Sequence, residues 1–326
     1  MMRFLSWWFQ PTSARSWSEY WFKPAPVFDL AVCRIIIVAT QLALVLFYVN
    51  YATDRLEYYA ALNQNLFLPI PTLRVLLLPF GLDFRPDFNT LLMVKYIAIA
   101  SGFFALVGFL TNISLIAFIY SNLILITHFY SYSDFHHTEA PLILALVYLA
   151  LSPAGRVLSV DRLLRGKGTG ESMLEETSPY ARWPILLAQW SFALVYLSAF
   201  LEKLVFIGGL DWLNGYTLQY AMANDTLRRG TMVGEWLQQH WWALYLGQYL
   251  TVLFQGTFWI SLLFPRLKLL YVPLGFSFHL LILVALNAKF FEWMGTYAIF
   301  VPWALVATFL LGRLGSRGQV PLATKG

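Results

Sequence analysis

Lys203 is the residue with the clearest chemical potential in this chain. It closes an apolar run, YLSAFLEKL (196–204), which leads into Gly208-Gly209 and Asp211-Trp212. Ionisable side chains cost at least ~2.5–3.5 kcal/mol each at a bilayer centre and mark function by default. On a helix Lys203 shares its face with Phe200, Ala199, Tyr196, Phe192 and Gln189, by steps of three and four. Glu202 points about 100° away. Tyr196 and Gln189 give the lysine face a polar seam. An amine kept from water favours its neutral form, and a neutral amine accepts protons. Beside an aromatic-lined cavity open to lipid, such a base suits a lipophilic acid such as a hydroquinone. The plainer reading is that Lys203 snorkels to water.

The other costly groups are few: Lys95, His128, His136, His137, Glu139, His279 and Glu292, with Asp29 and Arg34 both at the inner end of the first span. Arg34 is expected to pair with Asp29 or to meet lipid phosphate. In SDFHHTEAP (133–141), Thr138 reads as an N-cap, Glu139 as a residue at the positive end of a helix dipole and Pro141 as a first-turn proline. That reading leaves His136 and His137 unexplained, and they are site candidates. His128 and His279 are candidates too, against the reading that they are hydrogen-bonded core histidines. The five histidines and the single cysteine, Cys33, show no H-x-x-x-H or C-x-x-C spacing, and no metal is expected. There is no G-x-S-x-G elbow, P-loop or G-x-G-x-x-G, so ordinary hydrolase and nucleotide chemistry has no footing.

Composition states what must position these residues. The 326-residue chain is 59% hydrophobic and 12% charged, about half the charge of a soluble domain. Its mean hydropathy is +0.62, which places it among membrane proteins. Aromatic residues make up 18%, with 13 Trp, as interfacial belts require. The net charge of +5 needs no nucleic-acid partner. Spans of about 20 apolar residues are expected over roughly 30–49, 89–110, 113–132, 136–152, 183–204, 241–264, 268–287 and 292–312. The fold class is therefore all-α: a polytopic transmembrane helical bundle of about eight spans with interfacial helices. Residues 1–26 read as an N-terminal interfacial segment, 27–312 as the transmembrane domain and 313–326 as a cytoplasmic tail. Residues 50–88, broken by Pro69, Pro71 and Pro79, read as a surface cap or re-entrant segment. Residues 205–240 read as a surface helix, and 153–182 as a mobile cytoplasmic linker. With eight spans, 13 Lys and Arg fall on the side of both termini and 6 on the other, which puts both termini in the cytoplasm. Nearly every costly group then lies in the outer half-layer, in one polar pocket opening outward.

At the lysine segment the sequence resembles a known family. YLSAFLEKL followed by DWLNGYTLQY is similar to the Y-x-x-A-x-x-x-K-L and D-W-x-x-G-Y run of vitamin K-dependent gamma-glutamyl carboxylases and the wider HTTM membrane family. CRIII resembles the family's F-R-V start. HHTEAPLILALVYLALSPAGRVLSVDRLL resembles its N-H-S helix and W-S-V-D-G-L-L, and FSFHLLILVALNAKFFEWMGTYAIF its F-H-x-x-N and F-S-x-G-M-F segments. The resemblance spans about residues 28–310, in order. It implies a reduced quinone of the vitamin K or menaquinone type as cofactor, molecular oxygen and no metal. Lys203 takes the place of the family's base, which deprotonates the hydroquinone so that the oxygenated cofactor becomes strong enough to remove a glutamate gamma proton. His136 or His137 matches the family's supporting histidine, with a one-residue slip that leaves both open. His279 matches the family F-H, and Trp212, Gly215 and Tyr216 would shape the turn after the base; the candidate cofactor-binding residues are thus Tyr196, Trp212, His279 and His128.

Glu202 stands where the carboxylases carry a second basic residue. The large lumenal domain that captures their substrates has no counterpart here, so a minimal relative is expected. Its substrate is an extracytoplasmic peptide or a lipophilic molecule, in a bacterial inner membrane. The alternative is a non-catalytic transmembrane subunit that keeps the HTTM fold and binds other membrane-complex subunits. A transporter fits less well, since no inverted repeat or pair of broken helices is visible.

Overall fold

The computed structural model describes residues 17–48, 51–81, 84–133, 138–166 and 172–317. Their regular structure is helical but for one short antiparallel pairing, β1 (Ala25–Pro26) with β2 (Thr177–Ser178). The all-α expectation holds. After α1 (Trp17–Phe22), the helices α2 (Val27–Phe47), α5 (Phe88–Val107) and α6 (Thr111–Tyr130) pack in series. Each is an unbroken apolar run long enough to cross a bilayer. The helical stretches 179–206, around α10 (Arg182–Leu201), and 265–286, around α15 (Lys268–Leu286), are also long enough. That makes five spans by length and composition. A sixth results if α16 (Phe291–Thr296) with its following 3₁₀ turn (Tyr297–Phe300) and α17 (Trp303–Arg317) count as one segment bent by 73°. The bend falls at Val301-Pro302, where proline disfavours helix in the residue before it.

Two expected spans are shorter than a bilayer requires. The one placed over 136–152 is α7 (Ala140–Ala150), of 11 residues. Its first turn holds Pro141, and Pro153 prevents its extension. Glu139, not Thr138, takes the N-cap position, and it makes no side-chain cap bond. The span placed over 241–264 divides into α13 (Trp241–Thr257) and α14 (Ile260–Leu263).

Residues 51–80 hold α3 (Thr53–Ala61), α4 (Pro71–Leu77) and two 3₁₀ turns. This segment is stitched to the end of α6: Leu68 N–H donates to the Ser131 carbonyl at 2.8 Å and the Tyr132 hydroxyl to the Tyr59 carbonyl at 2.6 Å. Beyond α10 the short helices α11 (Tyr216–Arg229) and α12 (Met232–Gln238) expose Tyr220, Met232 and Trp236, the mixed surface that an interfacial segment needs.

Residues 167–171 of the connection expected over 153–182 lie outside the described residues; the rest of it carries regular structure. It contains α8 (Val160–Leu164), α9 (Ser172–Glu175) and β2, and Arg162 pairs with Glu176 at 2.7 Å. Arg34 does not pair with Asp29. Its guanidinium donates to the carbonyls of Ala154 (3.2 Å) and Leu158 (2.5 Å), and Asp29 accepts from Ala304 N–H at 2.7 Å. Buried charged groups need several partners at once, and backbone ends supply them here.

Candidate functional site

The buried face of α10 carries Gln189, Phe192 and Tyr196, as the three-and-four spacing requires. The Tyr196 hydroxyl lies 2.8 Å from His279 Nε2, on α15, and 2.6 Å from the Tyr297 hydroxyl, just past α16. Three segments distant in sequence thus meet at one oxygen. A hydroxyl between two such partners donates to one and accepts from the other, which links them in a proton-sharing row. Around it stand Phe192, Phe254, Phe258 and Trp293. Tyr196 lies 4.9 Å from the rings of Phe258 and Trp293, centre to centre, and His279 lies 5.0 Å from Trp293. Gly275, one turn before His279, is what permits this approach: a Cβ there would strike the Tyr297 hydroxyl. Among the described residues His279 Nδ1 and Trp293 Nε1 are buried without a protein hydrogen-bond partner. Such atoms carry a desolvation cost of about 1–3 kcal/mol each unless a ligand or water meets them.

Lys203 follows Tyr196 by two turns. The regular helix gives way here to a wider π turn over Glu202–Ile207, with Gly208 N–H donating to the Lys203 carbonyl, five residues back, at 3.3 Å. Lys203 is half-buried, whereas Glu202 is exposed. The amine donates to the Ala199 carbonyl at 3.1 Å and sits 5.5 Å from the centre of the Trp212 ring. An aromatic face favours the protonated amine. A basic role therefore needs a ligand that takes the place of this ring contact.

The structure brings Tyr196 to His279 and Trp212 to Lys203. His128 is elsewhere, buried among Phe67, Phe129 and Tyr132, with both ring nitrogens unpartnered among the described residues. It shares none of these neighbours with His279. His136 and His137 lie outside the described residues. Lys95 is buried, its amine 3.5 Å from the Thr53 hydroxyl. Among the described residues no group of three His, Cys, Asp or Glu side chains is placed to hold a metal ion.

Two members of the aromatic site escaped the sequence reading. Trp293 and Tyr297 are four residues apart in FFEWMGTYAIF, a spacing that puts both on the His279 side. Lys268 is also buried, donating to Gln189 Oε1 at 2.8 Å, while the Gln189 amide donates to the Ile299 carbonyl at 2.7 Å. Lys268 reads as an end-of-span charge in sequence, and nothing in its neighbours signals that it turns inward. Comparison of the chain with protein-family models, with curated proteins and with solved structures finds no match.

Proposed function

We propose that this chain is an integral membrane protein whose α10–α15–α16 face takes a lipophilic ring compound of the reduced-quinone class, as the resemblance to the HTTM carboxylases implies. Its bundle crosses the membrane about eight times, with α7 and the α13–α14 pair as short spans and both termini in the cytoplasm. The observation that carries the reading is the Tyr196–His279–Tyr297 row on the helix that ends in Lys203. The residues suit such a ring: flat aromatic walls stack on it, and two orphaned polar atoms, His279 Nδ1 and Trp293 Nε1, meet its oxygens. A reduced quinone supplies an acidic hydroxyl and two electrons for oxygen. Lys203 would hold the hydroxyl side of such a ring and, freed from Trp212, would serve as the proton acceptor. The phenol–imidazole row would hold a proton beside the ring, and Phe254 and Phe258 would exclude water.

The test uses the detergent-purified full chain with reduced menaquinone analogues under oxygen. Wild type is expected to convert them to the epoxide with a candidate peptide present, and Lys203→Ala to lose at least ~10²-fold, the usual worth of a general base. Wild-type inactivity with every quinol overturns the enzymatic reading.

A second reading, a transmembrane subunit, is favoured by the surface of the 265–286 span, of which only 17% is buried, against 67% for α6. Leu269, Leu270, Leu274, Phe276, Leu280 and Leu281 face outward there, as a helix does that rests on lipid or on a neighbouring subunit. Co-purification with stoichiometric membrane partners supports it.

A further inference from the structure

On the other side of α16 the chain gathers a second cluster of polar groups, which the quinone reading does not use. Glu292 neighbours Trp293 in sequence but faces α2 and α7, where α16 packs closely enough that Gly295 admits no Cβ against Thr40. Gln41, next to Thr40, is fully buried and donates its amide to Asn122 Oδ1 at 2.7 Å. Its side chain also hydrogen-bonds with the buried Tyr51 phenol, which lies within electrostatic range of both Glu292 and Glu139. Glu139, at the start of α7, accepts from the Tyr130 hydroxyl at 2.8 Å and lies within electrostatic range of Glu292. Segments from five parts of the chain therefore converge on two carboxylates.

Two atoms in this cluster have no protein partner among the described residues: Glu292 Oε2 and Gln41 Oε1. Glu292 is 4% exposed and Gln41 0%, so water does not compensate them from outside. Among the described residues no Lys, Arg or His forms an ion pair with either glutamate. Lys289, the nearest basic residue in sequence to Glu292, places its amine 5.9 Å from the Tyr48 ring centre. A buried carboxylate without a counter-charge costs several kcal/mol. A proton on Glu292 satisfies one orphaned oxygen at most. A cation between them satisfies both and balances charge as well. The surrounding donors are all oxygens from carboxylate, amide carbonyl and phenol, the set that hard cations prefer.

We propose that Glu292, Glu139, Gln41 and Tyr51 form a binding site for one hard cation, of the Na⁺ or Ca²⁺ class, buried between α2, α7 and α16. The site is independent of Lys203 and of any quinone.

The purified full chain is tested in detergent by thermal unfolding, with sodium, potassium, calcium and magnesium chlorides against choline chloride at matched ionic strength. A saturable rise in the unfolding midpoint is expected for one of these cations, and its identity separates the monovalent from the divalent case. Glu292→Gln and Gln41→Leu are expected to abolish or shrink the shift several-fold, while Glu202→Gln, on an exposed residue, retains it. Infrared difference spectra add a readout that does not depend on variants folding: cation addition should perturb carboxylate stretching bands. The proposal is overturned if no cation differs from choline, if the shift survives in both cluster variants, or if a protonated carboxylic acid band persists unchanged with cation present.

Discussion

Tyr196 and His279, 83 residues apart, are held 2.8 Å from each other inside an aromatic shell. Among the described residues His279 Nδ1 lacks a partner, and this is the only protein hydrogen bond to its ring. Tyr196→Phe removes it and strands the second nitrogen, at an expected cost of about 1–3 kcal/mol. Tyr297→Phe should cost less, because Tyr196 keeps His279. Thermal unfolding of the two variants side by side checks the order, and equal losses would argue against a row centred on Tyr196.

Gly275 shows how tightly that row is packed. A methyl group there meets the Tyr297 hydroxyl and lies 2.9 Å from Phe254 Cζ. Gly275→Ala should therefore destabilise by about 1–3 kcal/mol, as overpacking does. In a Tyr297→Phe background the struck oxygen is gone, so the same substitution should cost less. A double-mutant cycle on unfolding midpoints measures the coupling; strict additivity would show that the clash is relieved elsewhere.

Much of this arrangement is legible in the residues. The uninterrupted apolar runs of α2, α5 and α6 declare themselves, and the face joining Gln189, Phe192 and Tyr196 follows from spacing alone. The bend at Val301-Pro302 is less visible, because the apolar run continues through it, and reading 292–312 as one rod hides that Trp293 and Tyr297 turn toward His279. The π turn at Lys203 leaves no composition signal: winding by one extra residue is decided by how 202–213 packs. Arg34 illustrates a different limit. Its partners are carbonyls of Ala154 and Leu158, and since every residue has a carbonyl, no residue type marks which will be used. Glu292 and Glu139 look like ordinary helix-start acids, and only packing brings them to one cluster.

Asp161 caps a helix from fifty residues away. It lies outside the spanning helices and accepts from Leu110 N–H (2.8 Å), Thr111 N–H (2.9 Å) and the Thr111 hydroxyl (2.7 Å), at the start of α6. Burial pushes its carboxyl up, but these hydrogen bonds, with Arg165 nearby, outweigh burial and hold it below the usual carboxylate value. A carboxyl depressed in the folded state contributes stability that is complete above its unfolded value of ~3.9 and is lost as pH falls through the lower folded value. Asp161→Asn should cost about 0.5–2 kcal/mol at neutral pH, as a lost cap does. Its stability should also fall less steeply than wild type below about pH 4. Unfolding curves at several pH values compare the two, and parallel acid limbs would remove Asp161 from the account.

Arg34 fastens the connection after α7 to the body of the bundle. It is fully buried, and its two terminal nitrogens reach carbonyls on either side of the 154–158 turn. Leu158 adopts a left-handed backbone (φ 48°) there, a conformation that a leucine holds only where its surroundings enforce it. Lysine has the charge but not the planar fork. Arg34→Lys should leave one carbonyl unpaired, at about 1–3 kcal/mol, and loosen the turn before the bundle itself opens. Arg165, exposed in the same connection, is a trypsin site, so limited proteolysis reads the effect directly. Cleavage after Arg165 should accelerate in Arg34→Lys while helix content by circular dichroism stays at the wild-type level. An unchanged cleavage rate would mean that β1–β2 pairing and the Arg162–Glu176 bridge hold this connection without Arg34.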